Sequence, residues 1–345
     1  MENTLSRRQM LGVLAAAPLL MSARNVLAQS VSPEALLAGA KTEGKVVVYS
    51  IFPTTVESAM MQSYQDATGI TMEYSRIGGT NPTLQKFYSQ VKVGQHLTDV
   101  IVLEKSANMI AANDGLFASV KPGNLPNVVE AFRSADGLAQ TVIASFHVVV
   151  YNKNLVTEDQ LPKEWSDLAK PEYAGKVVVG SPENSGSATV MIKTLLDRHG
   201  WDFFKTLAAN GLIETTREVE AADLVARGER LFAVIAQTAP AAQLAAGAPI
   251  GIHFPARPIV TEFAASVPLE APHPQAARHF LDYMLSEDYQ KRVVSDLAGY
   301  SVLTSVAPPP GMPVLSDLAI EPFDYAALLA ERDGILENWR EIMGA

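Results

Sequence analysis

The sequence predicts an α/β fold of doubly wound, mixed sheets, and three observations carry that expectation. From Lys41 onward, short β-branched runs alternate with segments of helical period. Several of the runs are continuously apolar, as strands covered on both faces are: Lys45-Val46-Val47-Val48-Tyr49, Asp99-Val100-Ile101-Val102-Leu103 and Lys176-Val177-Val178-Val179. Finally, polar loops rich in Gly, Ser and Asn follow strands and open helices, the arrangement found at the carboxyl ends of strands in open α/β sheets.

The elements follow in order. After the first strand comes a helix over 55–68, with Val56, Ala59, Met60 and Tyr64 on one face and Gly69 placed for a left-handed cap. Ile70, Met72 and Tyr74 alternate as a second strand. Ile77-Gly78-Gly79-Thr80-Asn81-Pro82 is a loop entering a helix that carries Leu84, Phe87, Tyr88 and Val91. The third strand ends at Glu104, which completes one half of a doubly wound sheet. A second unit begins near Phe146 with the strand His147–Tyr151, followed by a short helix at Trp165–Lys170. The strand at 176–179 leads through Gly180-Ser181-Pro182-Glu183-Asn184-Ser185-Gly186-Ser187 into a helix over 188–199, stopped by Gly200. Leu231–Ile235 and Ile250–Phe254 are further strands. Helices over 275–285 and 287–297, the stretch Pro308-Pro309-Pro310 and an amphipathic helix over 325–343 close the chain.

With 345 residues, 48% hydrophobic and 19% charged, the chain suits a globular protein of two domains. It has no cysteine, which excludes disulfides, thiolate metal sites and a cysteine nucleophile. A net charge of −10 argues against nucleic acid or anionic lipid as a partner. None of the six histidines is paired at i, i+3 or i, i+4, and no HExxH, GxSxG, phosphate-loop or dinucleotide fingerprint occurs. At the start, Arg7-Arg8, the apolar run Met10–Met21 and Val26-Leu27-Ala28 read as a cleaved export signal over 1–28 of the twin-arginine type. The expected destination is a bacterial periplasm, where enzymes needing ATP or NADH are out of place.

The segment Asn184 to Thr189 is the most informative for chemistry. A helix start offers free N–H groups and the positive end of the helix dipole to phosphate, phosphonate or carboxylate. Ser185 and Ser187 add hydroxyls, and Gly186 lets a ligand approach the backbone. The same residues also read as a plain helix cap. Gly79 and Thr80 open a second such loop, and Ser50 a third. Loops of this kind on two lobes would face a shared cleft. Glu104 is a candidate acceptor at a strand end. Arg257 either neutralises an anion in the cleft or decorates the surface.

Taken together, these segments resemble the periplasmic solute-binding proteins of ABC importers, type II. They are most similar to the branch holding ferric-, thiamine- and 2-aminoethylphosphonate-binding proteins. The resemblance rests on Gly44–Ser50, Thr98–Glu104, Val149–Val156, Trp165–Leu168, Tyr173–Val177, Asn184–Ala188, Ala226–Glu229 and Ala271–Ser286 in that order. It implies a two-lobed Venus flytrap joined by two crossover hinge strands, near Ser145–Val150 and Phe254–Thr261. Lobe 1 would hold 29–147 and 256–345, and lobe 2 would hold 148–255. The closed, monomeric protein would deliver its solute to a membrane permease and its ATPase, without chemistry and without a cofactor. The ferric-binding proteins hold metal through two adjacent tyrosines, a glutamate and often a histidine. Glu104 matches the glutamate, but the tyrosine position reads Ala236-Gln237-Thr238-Ala239-Pro240, and Ser50–Thr55 has no histidine. The resemblance therefore implies a small organic anion, with ferric iron plus a synergistic anion as the alternative. The expected ligand-binding set is Ser50, Gly79, Thr80, Glu104, Ser145, Asn184, Ser185, Gly186, Ser187, Gln237, Thr238 and Arg257, with no metal ligands.

Overall fold

The computed structural model describes residues 32–344, so the expected export signal over 1–28 lies outside the described residues. Helix α1 (Pro33–Glu43) is capped by Ser32, whose hydroxyl accepts from Ala35 N–H. Strand β1 (Lys45–Ser50), helix α2 (Thr54–Thr68), strand β2 (Thr71–Ser75), helix α3 (Thr80–Lys92) and strand β3 (Val100–Glu104) then alternate as expected, and helix α4 (Lys105–Asn113), not read from the sequence, follows. Both β2 and β3 pair with β1 in parallel. After the short β4 (Phe117–Ala118) comes β5 (Gln140–Asn152), far longer than its apolar run suggested.

The second half contains β6 (Val177–Gly180), α5 (Gly186–His199), α6 (Trp201–Ala209), β7 (Ile213–Thr215), α7 (Glu218–Ala226), β8 (Phe232–Ala236), α8 (Ala241–Ala245) and β9 (Ile250–His253). The chain returns along β10 (Ile259–Pro268) and finishes with α9 (Pro274–Met284), α10 (Glu287–Leu297) and α11 (Tyr325–Met343). The strand order is β2-β1-β3-β10-β5-β8-β6-β7, with β4 added to β10 and β9 to β5.

Strands β5 and β10 are the crossovers. They pair antiparallel from Gln140–Ala265 to His147–Ile259. One end of β10 pairs with β3, and the far half of β5 pairs with β8. The expected strand begins only at His147, and the residues before it interleave Gln140, Thr141 and Ser145 with apolar ones. Tertiary partners satisfy the first two of these: Gln140 Nε2 donates to the Phe132 carbonyl at 3.1 Å, and the Thr141 hydroxyl donates to Glu262 Oε2 at 2.5 Å.

One boundary is corrected. The expectation placed all of 256–345 with lobe 1. In the structure Tyr325, Leu328, Ile335 and Trp339 of α11 are buried in one cluster with Trp165, Val177, Val190 and Phe204 of the second half. Trp339 Nε1 donates to Glu214 on β7, and Lys193 of α5 pairs with Glu331 at 3.2 Å. An amphipathic helix goes where its apolar stripe is covered, and here that place is α5 and α6. Helix α11 also touches α4, so it lies against both halves.

Candidate functional site

Three strand ends and their following loops meet where the halves touch. Gly79 caps α3 without a side chain, and a Cβ there would stand 3.2 Å from the Asn184 carbonyl. Asn81 Nδ2 donates to the Glu183 carbonyl at 2.6 Å, which ties the α3 loop to the loop before α5. Thr80 is buried in the first turn of α3.

Glu104 faces the start of α5. A Cβ on Gly186 would lie 2.8 Å from Glu104 Oε2, so only glycine leaves room for this carboxylate. Glu104 is fully buried, and Oε2 accepts from the Ser106 N–H at 3.1 Å and from the Ser106 hydroxyl. Its other oxygen, Oε1, is buried without a protein partner. Burial raises the acid to about 7, against the lowering effect of the Ser106 bonds. Glu262 reinforces that rise, and Lys105 opposes it.

Helix α5 starts as its sequence requires. The Ser185 hydroxyl accepts from Ala188 N–H at 3.3 Å, and Thr189 N–H bonds the Ser185 carbonyl at 3.2 Å. The cap reading therefore holds for Ser185. The N–H groups of Gly186 and Ser187 remain for whatever lies before the helix. Both serine hydroxyls also contact Glu218 at the start of α7: Ser185 Oγ at 2.8 Å and Ser187 Oγ at 2.6 Å from Oε1. Glu218 Oε2 accepts from Ala236 N–H at 3.0 Å, and His147 Nε2 on β5 stands 3.9 Å from Oε1. Glu218 had no signal in the sequence, where an acid opening a helix reads as a favourable dipole charge.

The remaining expected residues divide. The Ser50 hydroxyl is spent on buried Glu57 at 2.6 Å. Ser145 is buried in β5, paired with Thr261, and its hydroxyl lacks a protein partner. Gln237 is a correction: it is fully buried and acts as a brace. Its Oε1 accepts from Phe146 N–H at 3.3 Å, and its Nε2 donates to the Ala298 carbonyl at 2.9 Å, which leaves its amide engaged with backbone. Thr238 beside it is half-buried.

Arg257 is a second correction. Its guanidinium pairs with Glu321, and its carbonyl accepts from Arg198 in the last turn of α5. At 1.5 Å per residue, that end of α5 is about 18 Å from Gly186. Arg257 lines a cavity of about 440 Å³ with Arg198 and Glu321, away from the junction. Among the described residues, no three His, Cys, Asp or Glu side chains converge as metal ligands.

The fold is that of the two-lobed periplasmic binding proteins. The family model for bacterial extracellular solute-binding proteins matches residues 95–326, and the chain belongs to that family. The family consists of substrate-binding proteins of ABC transporters and not of enzymes. The chain is 25% identical over 328 residues to iron uptake protein A1 of a Synechocystis species, covering 89% of each. The structure of iron-bound HitA from Pseudomonas aeruginosa superposes with a TM-score of 0.75 at 23% identity, covering 86% of this chain and 99% of that one. AfuA from Actinobacillus pleuropneumoniae, solved with fructose-6-phosphate, gives 0.76 at 20% identity, covering 87% and 99%. These two likenesses establish a shared fold.

Proposed function

We propose that the protein is the periplasmic binding component of an importer that captures a small organic anion between its lobes. A phosphonate, a phosphate ester or a carboxylate would place its acidic group against the Gly186 and Ser187 N–H groups. A donor group elsewhere on the solute, an ammonium or a hydroxyl, would meet Glu104 Oε1. The observation that carries this reading is the start of α5, where a Cβ on Gly186 would stand 2.8 Å from Glu104 Oε2, so free helix N–H groups and a buried carboxylate from β3 lie side by side. A helix start with free N–H groups suits an acidic group.

Ferric iron with a synergistic anion is the second reading, favoured by the iron-uptake relative and by the unpartnered Glu104 oxygen. The braced Gln237 and the absence of tyrosine over 236–240 oppose it. Calorimetry on the mature protein separates the two. The panel holds phosphonates, sugar phosphates, small carboxylates and ferric citrate. Saturable binding of an organic acid without iron is expected. Iron binding with a visible phenolate charge-transfer band, and no response to organic acids, would overturn the proposal.

A further inference from the structure

The hydroxyl hydrogens at this site are already in use. A serine hydroxyl has one hydrogen to give. Ser187 Oγ is 2.6 Å from Glu218 Oε1, and Ser185 Oγ is 2.8 Å from both Glu218 Oε1 and Ser187 Oγ. Whichever way the Ser185 hydroxyl turns within this trio, neither hydrogen is left for a ligand. The carboxylate is held in place from behind, since a Cβ on Gly180 would sit 2.5 Å from Glu218 Cγ. Burial alone would raise this acid. The His147 imidazole, the Ser187 hydroxyl and the Ala236 N–H outweigh burial and draw it down to about 2. The pattern repeats around the junction, where Ser50 serves Glu57 and Ser106 serves Glu104. The α5 loop therefore shows a ligand two backbone N–H groups and oxygen lone pairs, with Glu104 beside it.

We infer that Glu218 sets the charge the site accepts: it consumes the Ser185 and Ser187 donors that a bare acid would need, so the cleft takes an acid balanced by an ammonium and refuses the matching amine-free acid. The inference rests on the reading that the solute sits before α5. Unbalanced negative charge beside a buried carboxylate is costly, and a single ammonium reaching Glu104 Oε1 offsets it.

Matched pairs test it: 2-aminoethylphosphonate against ethylphosphonate, 3-aminopropanoate against propanoate, and ethylammonium alone, titrated calorimetrically into wild type and Glu218→Gln. The wild type is expected to favour the amine-bearing member of a pair by about 30-fold or more. Glu218→Gln keeps the shape, removes the charge and frees donors. There the amine-free acid should gain about tenfold, narrowing the preference to match. Equal binding of both members of a pair by wild type overturns the inference. So does an unchanged preference in a folded Glu218→Gln. The wild-type ratio decides alone if that variant does not fold. Ethylammonium binding as tightly as the amino acids would leave charge selection standing and overturn the organic-anion reading. Binding of ferric ion alone, or of no member of either pair, overturns both.

Discussion

Gly186→Ala isolates the contact between lobes from the stability of either lobe. Gly186 is the first residue of α5, and its φ lies outside the left-handed region, so alanine suits the local backbone. The added Cβ would stand 2.8 Å from Glu104 Oε2, 3.0 Å from its Cβ and 3.1 Å from its Cγ. Glu104 cannot retreat, because it is fully buried and held by Ser106. Relief has to come from separation of the halves. Overpacking of this kind costs about 1–3 kcal/mol. Assigned to closure, that weakens solute binding by roughly 5- to 150-fold. Calorimetry should show the loss, while the Tm of the unliganded protein moves by no more than about 4 °C and small-angle scattering reports a larger radius of gyration. Affinity within twofold of wild type, with unchanged scattering, would refute the claim that the halves close on this contact.

Two further outcomes follow from the same geometry. Burial raises Glu104 from 4.5 to about 7, a penalty of about 3 kcal/mol on the folded, ionised form. The folded protein holds a proton that the unfolded chain releases between pH 4.5 and 7, so stability should fall as pH rises through that window and level off above it. Glu104→Gln should flatten the profile of Tm against pH, and a slope that survives would assign the titration elsewhere. Arg257 has φ 55°, a left-handed backbone that strains a side-chain-bearing residue by roughly 1–2 kcal/mol. Its exposed pair with Glu321 returns little of that. Arg257→Gly should therefore leave Tm unchanged or raised and leave affinity within twofold, whereas a tenfold loss of binding would place Arg257 in the site.

The sequence by itself determined the alternation of strands and helices, because continuous valine runs, helical spacing and the Gly69 and Gly200 stops are local signals. It also determined the opening of α5, whose serine cap and glycine act within one turn. Where the chain crosses between lobes came from the family resemblance, and the strand β10 that makes the second crossing was not legible in the residues. The full length of β5 was not legible either, since Gln140 and Thr141 become strand residues only once Phe132 and Glu262 accept their hydrogens. The tertiary structure alone decided which polar residues share the site. It set Gln237 aside as a brace, moved Arg257 to the far end of α5 and carried α11 onto the second half. It also brought Glu218, 31 residues beyond Ser187, beneath the serine loop. The reason is physical: a hydroxyl, an amide or a carboxylate has no fixed role in one dimension, and only its neighbours in space decide what it donates to or accepts from.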